Sequence, residues 1–374
     1  MKPLDGLFVL DFSTLLPGPM ATLLLAEAGA QVLKIEPLAG DAMRAYEPPW
    51  GDDSAIFGLL NRGKQSLAID LKEPAAREHV LGLARKADVV VEQFRPGVMD
   101  RLGFGYDALS RINPRLIYCS ITGYGQTGPR ALEAGHDLNY AGDTGMLALS
   151  MGDVAHAVLP ATPLGDIGGG SYPAVINILL ALEERRRTGT GRHIDIAMSE
   201  NMFPFAYWAL ATGFATGHWP GNGTDLVTGF SPRYRLYVTR DRQALVVAAL
   251  EPKFWATFCD VVNLPEDLRN DAVDPAATSL EIARIVASED SAVWAQRLEG
   301  KDCCVSLAAS MEDAVRDPHF IARGVFAAQV TNAQGTSLPA LPMPIIPAFR
   351  VKPEGALPAP GLHGHTGIPA KVPE

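Results

Sequence analysis

Apolar residues along the first third of the chain come in short blocks separated by amphipathic or turn-forming stretches. LFVLDF (7–12) is a nearly continuous apolar run, the pattern of a strand buried on both faces. PGPMATLLLAEAG (17–29) reads as a helix: proline suits its first turn and Gly29 its C-terminal cap. QVLKIE (31–36) returns to a strand pattern, so residues 7–36 form one βαβ unit. Further strands are predicted at Ser66–Asp70, Asp88–Glu92 and Leu116–Ile121, with helices over 74–86 and 106–112. Strands that alternate with helices predict a parallel sheet covered by helices.

Residues 171–187 (SYPAVINILLALEERRR) predict an amphipathic helix whose arginines suit its C-terminal end. HIDIA (193–197) predicts a short strand, 201–214 a buried helix, and the glycine-rich stretch 211–225 a linker or exposed crossing. The pattern then changes. YRLYV (234–238) and ALVVAAL (244–250), joined by TRDRQ, predict a β-hairpin, followed by helices over 252–262, 279–287 and 291–298. The expected organisation is a large α/β domain over 1–215 and a smaller α+β domain over 226–325. The proline-rich tail, 326–374, is expected to return to the large domain, since prolines bar it from a central strand or a long helix.

Composition narrows the function. A net charge of −10 argues against a general nucleic-acid binder but leaves room for a local basic pocket. The four cysteines form no CxxC pair, so neither a disulfide framework nor a zinc knuckle is expected, and Cys303 and Cys304 read as packing residues. The N-terminus has no signal-peptide pattern and the longest apolar runs are too short for a membrane span. A cytoplasmic location is the expectation. HExxH, Walker A and GxSxG are absent.

Several residues are candidates for chemistry. Gly123, Gly125 and Gly128 spell GxGxxG, but Pro129 follows at once and no helix opens there, so the stretch reads as a turn-rich loop at a strand end. It runs into AGHDLNY (134–140), where His136 reads as a base, a metal ligand or a plain loop residue. Asp166 precedes Gly168, Gly169 and Gly170 and a strong helix. It is either a capping residue or a carboxylate held beside N–H groups fit to stabilise an oxyanion. Glu251, ahead of Pro252, reads by itself as a first-turn surface carboxylate. Arg62, Lys64, Arg95 and Arg101 lie near strand ends, as a solvated face or as phosphate contacts. His193 with Asp195, and His363 with His365, are weak metal spacings.

Taken in order, LDFSTLLPGPMATLLLAEAGAQVLKIEP, GDAMR, NRGKQSLAIDL, FRPGVMDRLGFGYDAL, IYCSITGYGQTGP, GDIGGGSY and GRHIDIAMSE resemble the family III CoA-transferase superfamily, and AGHDLNY resembles its α-methylacyl-CoA racemase branch. The resemblance implies a Rossmann-like large domain, a small α+β domain and an intertwined homodimer. It implies a 2-methylacyl-CoA racemase acting by 1,1-proton transfer, with His136, Asp166 and Glu251 as its catalytic residues. Arg62, Lys64, Arg95 and Arg101 would meet CoA, and no metal or cofactor beyond the substrate's own CoA would be needed. The alternative it leaves open is a CoA-transferase working through an aspartyl-CoA intermediate on Asp166. Three departures stand out: a short basic tract after the second strand, Cys303-Cys304 before the DP motif, and GLHGHT near the C-terminus.

Overall fold

The computed structural model describes residues 1–152, 157–352 and 354–362. His363 and His365 lie outside them. The described residues divide into two compact units. The first takes in residues up to Thr144, Thr162–Phe205 and the chain from Pro318 on; the second takes in Gly145–Ala161 and Ala206–Asp317. Each is an autonomous packing unit with its own core.

The first unit is built on six strands: β1 (Phe8–Asp11), β2 (Gln31–Glu36), β3 (Gln65–Ala68), β4 (Val89–Glu92), β5 (Ile117–Thr122) and β6 (Arg192–Ala197). All neighbouring pairs are parallel and the spatial order is 3-2-1-4-5-6. That is the doubly wound order, in which chain direction across the sheet reverses between β1 and β4. The central strands carry Val, Ile and Leu and are buried throughout, as a sheet covered on both faces requires. Helices α1 (Pro17–Glu27), α2 (Pro74–Ala84) and α3 (Tyr106–Ile112) follow β1, β3 and β4. One core gathers Leu10, Phe12, Leu33, Val80, Val90 and Tyr118; another gathers Met20, Leu23, Phe57 and Leu60 with Met343 of the tail. The tail packs on this unit: Gly63 N–H donates to the Pro358 carbonyl at 2.8 Å, and Arg350 pairs with Glu27 at 2.7 Å.

Three local elements escape the sequence pattern. The AGHD stretch leads into a short helix, α4 (Asp137–Asp143). Leu164–Ser171 winds as a π-helical turn and runs directly into α5 (Tyr172–Thr188). The buried helix expected over 201–214 is instead a 3₁₀ segment, Glu200–Ala206, followed by α6 (Tyr207–Thr216). Pro204 accounts for the break in the first segment, since it lacks the N–H that an α-helix needs. Nor is this stretch buried: Phe203, Phe205, Tyr207 and Phe214 are exposed.

In the second unit β7 (Tyr234–Val238) and β8 (Ala244–Ala248) form the expected antiparallel hairpin, with β9 (Val305–Leu307) on the other edge of β8. Helices α7 (Pro252–Val262), α8 (Pro275–Val286) and α9 (Ser291–Leu298) cover it through Trp255, Phe258, Ile282 and Trp294. Cys303 is a packing residue of this core, whereas Cys304 is exposed at a positive φ of 53°. No helix among the described residues is long and apolar enough to cross a membrane.

Candidate active site

A cleft of about 400 Å³ opens at the carboxyl edge of the sheet. Its walls come from the segments after β1 (Thr14, Leu15, Pro17), after β4 (Gln93–Pro96) and after β5 (Thr122, Gly123). It therefore sits at the reversal point between β1 and β4, where open α/β sheets bind ligands. His136, Asn139, Tyr140 and Asp166 complete it.

His136 caps the start of α4, and its N–H donates to Asn139 Oδ1 at 3.0 Å. The Tyr140 hydroxyl donates to the Gly135 carbonyl at 2.6 Å, which fixes the residue next to His136. His136 stands exposed on the rim. Asp166 is half-buried in the π-turn, and its N–H donates to Asp137 Oδ1 at 2.9 Å. Burial, followed by the neighbouring Asp137 carboxylate, pushes the Asp166 carboxyl up to about 6, against the opposing pull of His136. The two candidates thus share one cleft, and His136 bears on the charge of Asp166. Asp137, which sequence reasoning passed over, both ties the backbone of Asp166 and raises its basicity. The only sequence signal was its place beside His136.

The three glycines after Asp166 have another explanation than oxyanion binding. A Cβ on Gly169 would lie 2.3 Å from the Met198 carbonyl oxygen, and one on Gly168 would lie 2.8 Å from the Phe205 ring. A Cβ on Gly170 would crowd Met198 and Pro17 at 3.1 Å. None of the three lines the cleft; they permit the close approach of the π-turn to its neighbours.

Arg62 and Lys64 are not free to meet a phosphate, which corrects the sequence expectation. Arg62 is fully buried, paired with Glu27 at 2.8 Å and donating to the carbonyls of Leu59 and Leu341. Lys64 is buried as well, donating to Asp11 at 3.2 Å and to the Pro19 carbonyl and Asn61 at 2.8 Å. Burial, with Lys34 as a like charge nearby, lowers the Lys64 ammonium to about 8 despite Asp11. Asp11 also takes the hydroxyls of Ser13 and Thr22, and Lys34 bonds the Ser13 carbonyl and Asp41. These charges set the shape of the β1–α1 loop, and so of one cleft wall, rather than reaching a ligand.

Arg95 and Arg101 are exposed and, among the described residues, without an ion-pair partner. Arg95 lines the cleft. A second, more apolar cleft of about 440 Å³ lies at the carboxyl ends of β1, β2 and β3, lined by Phe12, Ile35, Leu38, Leu71, Phe94 and Leu102. Phe94 belongs to both clefts. Lys72, exposed on the second, is a cation the sequence reading did not single out.

Glu251 belongs to the second unit, where it precedes α7 at the N-cap, exposed and with no side-chain partner among the described residues. His193 and Asp195 act as structural polar residues: His193 Nε2 lies 3.0 Å from Ser120 Oγ, and Asp195 accepts the Gln126 N–H at 2.9 Å. The GxGxxG stretch is a loop as expected, with Gly125 and Gly128 at positive φ and no helix before Asp137. No cluster of three His, Cys, Asp or Glu suited to a metal occurs among the described residues.

A doubly wound sheet whose switch-point cleft holds a histidine and a basic aspartate defines a class of α/β enzyme, and the comparisons specify it. The chain belongs to CoA-transferase family III, whose pattern matches residues 4–366. Its curated relatives fall on both sides of one chemical divide. It is 40% identical to the acetyl-CoA:oxalate CoA-transferase of Acetobacter aceti over 71% of this chain and 68% of that one. It is 32% identical to the human alpha-methylacyl-CoA racemase over 94% and 90%. Among solved structures it matches a CAIB/BAIF family protein from Brucella suis with a TM-score of 0.82 and 29% identity, covering 97% of each chain. It matches Rv3272 from Mycobacterium tuberculosis with a TM-score of 0.82 and 28% identity, covering 97% of this chain and 98% of that one.

Proposed function

We propose that the protein is a 2-methylacyl-CoA racemase. The observation that carries this reading is the placement of His136 and Asp166 on one cleft, with Asp166 raised toward neutrality. A thioester α-proton is a weak acid, so the site needs a base near its working pH on one face and an acid on the other. In the proposed reaction the Asp166 carboxylate takes the proton from C2, leaving an enolate. The protonated His136 imidazole returns a proton to the opposite face, and the reverse direction exchanges the two roles. In the homodimer proposed below, the partner chain would bring its Glu251 to orient or charge-tune His136, as a carboxylate does for a histidine base. The CoA moiety is assigned to the second cleft, with Arg95, Arg101 and Lys72 as phosphate contacts in place of Arg62 and Lys64.

The test is incubation with (2R)-2-methylacyl-CoA in D2O. Deuterium at C2 together with the 2S epimer is the expected result. The competing outcome is CoA transfer to an added carboxylate. There the Asp166 carboxylate attacks the thioester carbonyl and expels CoA thiolate, giving a mixed anhydride. The thiolate then attacks the aspartyl carbonyl, releasing the acyl carboxylate and leaving aspartyl-CoA. Transfer without exchange would overturn the racemase reading.

We also propose that the chain works as an intertwined homodimer. Ile176, Leu179 and Leu180 of α5 and Phe203 and Phe205 leave apolar side chains of the first unit exposed, more than a lone surface favours. Light scattering should give twice the 40.0 kDa of one chain; a monomer mass would sink the proposal.

A further inference from the structure

Glu92 ends β4 and is buried, one residue before the segment Gln93–Pro96 that lines the first cleft. A buried carboxyl at that point needs a reason. Its Oε2 accepts the N–H of Phe94, two residues on, at 2.8 Å. Across the sheet, Glu92 sits in register with Ser120 of β5, whose hydroxyl favours the ionised carboxyl. Ser120 Oγ in turn lies 3.0 Å from His193 Nε2 of β6. Polar residues thus stand side by side on three adjacent strands, and Glu92 ties them to the backbone of the cleft wall. On the far side, the Gln93 side-chain oxygen accepts the Gly18 N–H of α1 at 2.9 Å. The Gln93–Phe94 stretch is held from both directions.

The surroundings leave room for this tie to loosen. A polar cavity of about 200 Å³ is lined by Glu92, Tyr118, Ser120, Gln126 and His193, and it shares Arg95 and Pro96 with the first cleft. Tyr118 is buried, yet among the described residues its hydroxyl has no hydrogen-bond partner, and neither has Gln126 Nε2. The space is polar and large enough for water, so a released segment has somewhere to relax.

We propose that Glu92 is a positioning residue for CoA-ester binding: its carboxylate holds Gln93–Pro96 in the shape that lines the first cleft and, through Phe94, the second. The inference rests on an acyl-CoA substrate, which the racemase and the transferase readings share. Charge adds a testable signature. The titratable groups around Glu92 are Asp100 of the short helix Val98–Leu102, Tyr106 and Asp107 of α3, Tyr118 and Cys119 of β5, His193 and Asp195 of β6, and Arg95 on its own segment. Burial, with Asp100 and Asp195 as like charges, lifts Glu92 to about 7 against the hydrogen bonds from Ser120 and Phe94. The ionised carboxylate binds an N–H more strongly than the neutral acid does. Above pH 7 the tie is intact, and it weakens as the pH falls through 7.

The experiment uses Glu92→Gln and calorimetric binding of CoA itself between pH 6 and 8.5, with steady-state kinetics on whichever reaction the enzyme runs. Wild-type affinity for CoA is expected to fall as the pH drops through 7. Glu92→Gln should bind roughly tenfold more weakly at pH 8, the scale of one charged hydrogen bond, with KM raised, kcat nearly unchanged and a flat pH profile. Parallel pH curves for the two proteins, or a lowered kcat at unchanged KM, would overturn the proposal. Ser120→Ala supplies a second arm should Glu92→Gln not fold. It removes a contact that favours the carboxylate, so the midpoint of the affinity curve should move above 7; an unmoved midpoint counts against the tie. Absence of CoA binding in the wild type would instead sink the acyl-CoA reading, so the two failures are distinguishable.

Discussion

Replacing Asp166 by asparagine is expected to abolish turnover while making the protein more stable at neutral pH. The activity loss follows from removing a proton-transfer group at the reacting carbon, worth about 10²–10⁴-fold. Asparagine matches the shape and keeps the N–H contact from residue 166 to Asp137, so the cleft itself should survive. The stability gain follows from the same environment that makes Asp166 a good base. Its folded-state carboxyl is raised from 3.8 to about 6 by burial and by Asp137. Between those values the folded state binds more protons than the unfolded chain, so stability falls as the pH rises through the window and stays low above it. The full shift corresponds to about 3 kcal/mol; partial solvent exposure reduces the gain in Asp166→Asn at pH 7.5 to about 1–2 kcal/mol. Urea denaturation at pH 7.5 and pH 4.5 checks it: the variant should exceed the wild type at the higher pH, and its margin should shrink to roughly a third at the lower, which lies inside the window. A variant less stable than wild type at pH 7.5 would mean that Asp166 is a structural cap and not a strained functional group.

How much of this was legible in the sequence depends on how far each feature relies on distant partners. LFVLDF and QVLKIE announce their strands because both faces of a parallel strand are buried, and that writes a continuous apolar run. The hairpin of β7 and β8 is equally plain from local pattern and turn residues. The π-turn at Leu164–Ser171 is not, since three glycines disfavour any helix and only their contacts with Met198, Phe205 and Pro17 favour one. Arg62 and Lys64 mislead for a related reason. NRGKQS looks like a solvated basic loop, and nothing nearby in sequence shows that Glu27 and Asp11 wait to bury those charges. His136 and Asp166 were legible through resemblance, but the raised basicity of Asp166 comes from burial and then from Asp137, across a separation of 29 residues.

Replacing His136 by alanine should split exchange from epimerisation, and this is the sharpest consequence of assigning the two faces to two residues. If Asp166 serves one face of C2 and His136 the other, His136→Ala keeps a working base for one epimer only. With that epimer, Asp166 removes the proton, exchanges it with solvent deuterium and returns deuterium to the same face. C2 becomes labelled while its configuration is kept. With the other epimer, exchange should fall by about 10²–10⁴-fold, and epimerisation should be lost from both directions. Folding is not expected to suffer, since His136 is exposed and its N–H contact to Asn139 comes from the backbone. Proton NMR of C2 in D2O, run separately on the 2R and 2S substrates, reads label and configuration together. Equal loss of exchange from both epimers would mean that His136 acts on both faces or shapes the site as a whole. Undiminished epimerisation would remove it from the chemistry, and CoA transfer that proceeds at the wild-type rate in the variant would leave Asp166 as the sole reacting side chain of the cleft.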